Sequence, residues 1–256
     1  MRTLIVGDIH LKAELILPII NKLIVEKRCE RVIFVGDYVD EFEQTMNTPL
    51  YIKELNSLIK WKEEMETIGI EIIMLLGNHD AAYLINSPKM YSLQNREGFE
   101  KVSKKLFSLD LQIAFRLDDY LISHAGYCWG QEPEKWHFEK LGIKDIIGIN
   151  VLEQHVGQVR GGQYWLGSPL WADYAELETY PNHHYLKQIV GHTPQLRINI
   201  DTTMIAVDTF SLKHLENEVA FHGNGDLLMY DDGKLEVVET EWNTKENREK
   251  LIKVLK

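Results

Sequence analysis

The chain has 256 residues, 45% of them hydrophobic, enough to bury roughly three quarters of the surface exposed on unfolding, so a single domain over residues 1–256 is expected. A formal net charge of -11 and a pI near 5.4 repel polyphosphate backbones, which normally need clustered Lys and Arg, so nucleic acid is not an expected partner. Apolar runs are short and broken by charge, well below the roughly 18 continuous apolar residues of a membrane span, and a soluble protein with no membrane partner is expected.

Thr3–Val6 is short, β-branched and aliphatic, which predicts a buried first strand. It follows Met1 almost directly and leaves no room for a cleavable leader, so a cytoplasmic location is expected. Leu15, Ile16, Ile19, Ile20, Leu23 and Ile24 form one apolar stripe on a helix running to about Arg28. Val32–Val35 is the second strand. Thr48-Pro49 opens a second helix, with Thr48 as N-cap and Pro49 at the first helical position. Tyr51, Ile52, Leu55, Leu58, Ile59 and Met65 face inward along it, and it ends near Gly69. Ile72–Leu76 completes a β-α-β-α-β series whose right-handed crossovers favour parallel strands, hence an α/β class.

Leu121–Ile122 and Ile189–Val190 are further short strands. Between about Gly126 and Tyr185, Trp129, Trp136, Trp165 and Trp171 sit among Gly, Pro and acidic residues, predicting packed loops and short helices over a site. Strands return at Met204–Val207, Leu227–Tyr230 and Leu235–Val238, the last two joined by the hairpin signal Asp231-Asp232-Gly233. The tail Glu239–Lys256 reads as a short solvated helix with Leu251, Ile252 and Leu255 as its apolar residues. Cys29 and Cys128 lack metal or redox spacing and are expected to be reduced; Cys128 reads as a small buried hydrophobe with no role.

Five blocks place metal-binding side chains directly after these apolar runs: Gly7-Asp8-Ile9-His10, Gly36-Asp37-Tyr38-Val39-Asp40, Gly77-Asn78-His79-Asp80, Ser123-His124-Ala125-Gly126 and Gly191-His192-Thr193-Pro194. At strand ends they would converge along one sheet edge, where α/β folds bind ligands. Asp8 and His10 are two apart and would share one side of a regular strand; a carboxylate with an imidazole suits a first-row divalent metal. Asp37 can bridge two ions, and Asn78, His124 and His192 add neutral ligands. The six fit two metals about 3.5–4 Å apart that lower the pKa of a bridging water, and the hydroxide attacks a phosphoester in line. His79, beside Asn78, is the expected general acid, with Asp40 orienting its ring. His137, His155, His183, His184, His214 and His222 lack such context and read as surface or satisfied core histidines, with His183-His184 the only pair of interest.

In order and spacing these blocks resemble the motifs of the calcineurin-like metallophosphoesterases, over residues 3 to 208. Gly36-Asp37-Tyr38-Val39-Asp40 and Leu170-Trp171-Ala172-Asp173 look most like the serine/threonine phosphoprotein phosphatase branch, which also holds small bacterial and phage phosphatases and the symmetrical diadenosine tetraphosphatases. The resemblance implies two β-sheets packed face to face with helices outside (αββα), and a dinuclear site at the strand C-terminal ends. It assigns Asp8, His10 and Asp37 to one ion and Asp37, Asn78, His124 and His192 to the other, with Mn²⁺ foremost and Fe, Zn²⁺ or Ni²⁺ as further metals.

Two departures stand out. Glu41 occupies the position of an arginine that clamps phosphate, so a dianionic monoester should bind less well unless another cation compensates. Leu11 replaces a glycine that often follows the first His. Arg160 is the candidate for the remaining clamp, with Asn78 also on the phosphate; stacking of Arg160 on Trp165 is the structural alternative. Asp173 is expected just behind the site or as a turn cap. The expected function is hydrolysis of phosphomonoesters, with phosphorylated protein or peptide or a small phosphoester as substrate. The alternatives are a dinucleoside polyphosphate or other small-nucleotide hydrolase, and a non-catalytic scaffold of the same fold.

Overall fold

The computed structural model describes residues 1–215 and 218–255. In chain order the strands are β1 (Thr3–Val6), β2 (Arg31–Phe34), β3 (Glu71–Met74), β4 (Ala114–Leu117), β5 (Tyr120–Ser123), β6 (Gln188–Val190), β7 (Met204–Ala206), β8 (Leu212–Leu215), β9 (Glu218–Phe221), β10 (Leu227–Asp231) and β11 (Lys234–Val238). The helices are α1 (Ala13–Lys27), α2 (Thr48–Thr67), α3 (Asn78–Leu84), α4 (Arg96–Phe107), α5 (Ile146–Gln154), α6 (Tyr174–Thr179) and α7 (Lys245–Leu255).

One sheet runs β11-β10-β1-β2-β3, parallel from β1 to β3 and antiparallel at β10 and β11; a second runs β4-β5-β6-β7, parallel from β5 to β7. Both faces of the first sheet are covered, which explains its unbroken apolar strands. Leu4, Val6, Val32, Phe34, Ile72 and Met74 pack under Ile16, Ile20, Leu55, Leu58 and Trp61 of α1 and α2. The alternate residues Ile5, Ile33 and Leu228 meet Leu117, Ile122, Ile189 and Ile205 of the second sheet. Truncating one of these, Ile33→Ala for example, should cost about 2–5 kcal/mol. Leu177 of α6 covers the outer face of the second sheet at Val190, Met204 and Ala206. Two sheets face to face between helices is the layering the resemblance implies.

Several local expectations shift. Asn47, not Thr48, caps α2: its side chain accepts from Leu50 N at 3.2 Å, and Thr48 is already helical. The tail helix is not wholly solvated, because Leu251 is buried and α7 lies beside α1. α4 escaped the sequence reading although Phe99, Val102 and Leu106 repeat at helical spacing and are buried. β4 and the antiparallel pair β8 and β9 were also missed. The Asp232-Gly233 turn forms as expected, both residues having positive φ (47° and 82°). Residues 126–185 hold only short helices and turns, as expected, and both thiols are buried and unpaired.

Candidate metal centre

The donor residues of four blocks lie in irregular turns just past their strands, whereas Asn78 and His79 open helix α3. β1 stops at Val6, so Asp8 and His10 do not share a strand face as expected; they lie on a turn in which His10 has φ 35° and Leu11 φ 54°. Asp37 (φ 54°), Asp40 (φ 63°) and His192 (φ 63°) are also left-handed. Such backbone costs of order 1 kcal/mol per residue outside glycine and persists only where neighbours over-determine it. Here His10 N donates to Asp37 O at 2.9 Å and Leu11 N to Tyr38 O at 3.1 Å. Asp80 receives Asp37 N at 2.8 Å, Tyr38 N at 2.9 Å and Gly77 N at 3.1 Å, stapling two blocks together. Gly191 is required by close approach, since a Cβ there would lie 2.1 Å from an Asp8 carboxylate oxygen.

These turns aim lone pairs at a common region. His124 Nδ1 lies 3.0 Å from Val35 O, and His10 Nδ1 2.9 Å from Asp40 O, so each Nδ1 donates and leaves Nε2 unprotonated toward the centre. His124 Nε2 is 2.9 Å from Asn78 Oδ1, 3.2 Å from His192 Nδ1 and 3.4 Å from Asp37 Oδ2. Asp37 Oδ2 is also 3.6 Å from His10 Nε2. Two groups, His10–Asp37–His79 and Asp37–His124–His192, bring their ligand atoms within 4.8 Å of one another, and Asp37 is common to both. Asp8 belongs to neither group; its carboxylate accepts His192 N at 3.0 and 3.2 Å.

The electrostatics fit a cation. Burial lowers the pKa of His124 and of His192, keeping both neutral, and His192 Nε2 is buried without a hydrogen-bond partner. Burial opposes ionisation of Asp37, but the imidazoles of His124, His79 and His10 outweigh it and hold the carboxyl below its usual value. Burial, with Asp208 and Asp37 nearby, pushes Asp8 well up. Facing lone pairs and mutually repelling carboxylates are the environment divalent ions relieve.

His79 occupies the adjoining corner. Its Nδ1 is 3.0 Å from Asp40 Oδ2, while Tyr51 and Tyr83 both donate to Asp40 Oδ1, at 2.9 and 2.5 Å. Burial pulls the imidazole down, yet Asp37 and the Asp40 hydrogen bond raise it to about 9; ions seated on Asp37 would cancel part of that field. A cavity of about 270 Å³ opens beside His79, walled also by His10, Glu41, Phe42, Tyr91 and Leu212. The repulsion expected from Glu41 is answered: Lys12, its side chain 0% exposed, places Nζ 2.8 Å from Glu41 Oε2 and 2.9 Å from His10 O. Leu11 takes the left-handed conformation that glycine would adopt at less cost.

Arg160 and Asp173 form an ion pair at 2.8 Å next to the His192 turn, where Arg160 Nη2 donates to Thr193 Oγ1 at 2.8 Å. Stacking of Arg160 on Trp165 does not occur; Trp165 instead meets Tyr180, centroids 4.6 Å apart. Asp173 also caps α6, accepting Ala175 N at 2.9 Å. His137, His155, His183, His184 and His222 stand outside both donor groups, and the side chain of His214 lies outside the described residues. Sequence reasoning missed Asp80, Lys12, Tyr51 and Tyr83: the first lies inside a quoted block, and the tyrosine of α2 was read only as core.

The family description calcineurin-like phosphoesterase matches residues 1–196. Among solved structures, the cold-active protein-tyrosine phosphatase of a psychrophile, Shewanella sp., is similar with a TM-score of 0.55 at 18% identity, over 93% of this chain and 80% of that one. A protein serine/threonine phosphatase from Saccharomyces cerevisiae is similar with a TM-score of 0.53 at 15% identity, over 94% and 79%. At these identities the likeness is one of fold. No curated protein sequence matches the chain.

Proposed function

Because the chain belongs to the calcineurin-like phosphoesterase family and is a phosphoesterase hydrolase, we propose that it cleaves phosphomonoesters, foremost those of phosphoserine and phosphothreonine in proteins. Two divalent ions, Mn²⁺ before Fe, Zn²⁺ or Ni²⁺, would be held by Asp8, His10, Asp37, Asn78, His124 and His192, with Asp37 shared. When bound, such ions supply a hydroxide nucleophile at neutral pH and neutralise the phosphoryl oxygens. The serine/threonine phosphatase of like fold supports this substrate class, and the protein-tyrosine phosphatase of like fold supports only a phosphoprotein substrate. A cytoplasmic location is part of this reading, and residues 1–256 are read as a single domain.

The observation that carries the reading is the 3.0 Å contact of His79 Nδ1 with Asp40 Oδ2 beside the two donor groups. Asp40 fixes the tautomer so that Nε2 faces the leaving oxygen and gives it a proton as the P–O bond breaks. The Tyr51 and Tyr83 hydroxyls occupy the other oxygen of Asp40 and keep it from turning away. Arg160 and Asn78 would orient the remaining phosphoryl oxygens.

The test is turnover by metal-stripped protein titrated with Mn²⁺, Zn²⁺, Ni²⁺ and Mg²⁺, on p-nitrophenyl phosphate, its bis ester, a phosphopeptide and a dinucleoside tetraphosphate. Mn²⁺-dependent cleavage of the monoester and phosphopeptide is expected. Faster cleavage of the tetraphosphate than of the phosphopeptide would move the assignment to a nucleotide hydrolase, and metal binding without turnover to a scaffold.

A further inference from the structure

Trp129 and Trp165, 48% and 54% exposed, wall a small cavity of about 250 Å³ together with Thr179, Tyr180, Pro181 and His183. Adjacent exposed aromatics are a feature of recognition surfaces. The cavity is well braced. Trp129 N donates to Tyr180 O at 2.8 Å. The Asn182 side chain donates to Cys128 O at 3.1 Å and to Gln131 O at 2.6 Å, lacing the two turns together.

The shape and charge of this box select its occupant. Trp129 and Trp165 meet at 64°, Trp129 and His183 at 83°, and Trp165 and Tyr180 at 64°. A flat base would need two parallel faces, whereas steep walls enclose a compact group. The volume lies below the roughly 300–1,000 Å³ of sites that hold a whole drug-sized ligand, so the box suits the end of a side chain. Ring faces carry negative quadrupole density that attracts cations. The surroundings are acidic: Glu178 precedes Thr179, Glu132 lies 2.6 Å from His184 beside His183, and the chain carries a net charge of -11.

The box lies at one end of α6, and Asp173 caps the other end while pairing with Arg160 near His192. Six helical residues rise roughly 9 Å, which puts the box within roughly 20 Å of the donor groups. A fully extended peptide covers roughly 20 Å in about six residues.

We propose that this aromatic box binds the cationic end of a lysine or arginine side chain of the substrate protein, up to about six residues from the phosphorylated residue. The proposal rests on the phosphoprotein reading for its substrate but not for its binding chemistry. Two measurements separate them. In the first, an unphosphorylated arginine peptide, its norleucine twin and adenosine are each titrated into metal-stripped protein while tryptophan fluorescence is read. The arginine peptide should quench, the twin should bind roughly three- to thirty-fold more weakly, and Trp165→Ala and Trp129→Ala should each remove the quench. In the second, Trp165→Ala should raise KM for an arginine phosphopeptide by the same factor, leaving kcat and p-nitrophenyl phosphate turnover unchanged, and Trp165→Tyr should recover most of the affinity. Equal binding of the norleucine twin, tighter binding of adenosine, or an unchanged KM in both tryptophan variants would overturn the proposal. Loss of all phosphopeptide turnover with quenching intact would instead overturn the phosphoprotein reading.

Discussion

Around His79 the polar groups are answered from the interior, whereas around Arg160 they are answered at the rim. Asp40 is 1% exposed and takes one imidazole and two tyrosine hydroxyls, and Tyr83 is itself pinned by Leu93 N at 2.8 Å. Arg160 is 26% exposed and Asp173 16%, joined by a single ion pair with one short side-chain bond to Thr193. Water can replace a partner at the rim but not in the interior, where an unpaired group bears its full desolvation cost. Changes at the first corner should therefore reach the rate or the fold, and changes at the second should reach affinity.

The sharpest test of that contrast is Asp37→Asn, which removes the carboxylate common to both donor groups. Turnover should vanish and bound metal, measured by elemental analysis, should fall by at least one ion. Next comes His79→Asn, which should lower kcat by roughly 10²–10⁴-fold while metal content stays unchanged; metal loss in this variant would make His79 a ligand, as its place in the first donor group allows. Glu41→Arg would restore the arginine of the family pattern, but it strands Lys12, whose side chain is 0% exposed. A cost of about 3–5 kcal/mol follows, read as a Tm drop of roughly 6–20 °C and not as tighter phosphate binding.

Glu54 sharpens the same contrast away from the site. It is 2% exposed and accepts Glu14 N at 2.9 Å; burial raises its pKa from 4.5 to about 7. Since the folded value is raised, its stabilising share is complete below about pH 4.5 and is lost as pH rises through about 7. Glu54→Gln should therefore match the parent at pH 4.5 and exceed it at pH 8 by about 1–3 kcal/mol, measured as Tm at both pH values. Smallest, Arg160→Ala should raise KM for p-nitrophenyl phosphate about ten-fold with kcat nearly intact; a kcat loss as large as that of His79→Asn would erase the distinction between the corners.

Much of the frame is legible in short stretches of sequence. Strands β1, β2, β3, β6, β7, β10 and β11 and helices α1 and α2 appear near their expected limits because each carries its own periodicity. α4 was legible in Phe99, Val102 and Leu106 but was masked by its charged residues. β4 was harder, since Phe115 and Arg116 gain sense only from pairing with β5.

The local sequence by itself determined where chelating side chains stand, because an apolar run followed by Gly and Asp, Asn or His encodes both a strand end and a donor within a few residues. It could not determine who answers whom. Lys12 meets Glu41 across 29 positions, Asp80 meets Asp37 across 43, and Tyr51 and Tyr83 meet Asp40 across 11 and 43. Only tertiary structure decided those pairings, and with them whether Glu41 repels phosphate, because no periodicity along the chain reports a distance between turns on different strands.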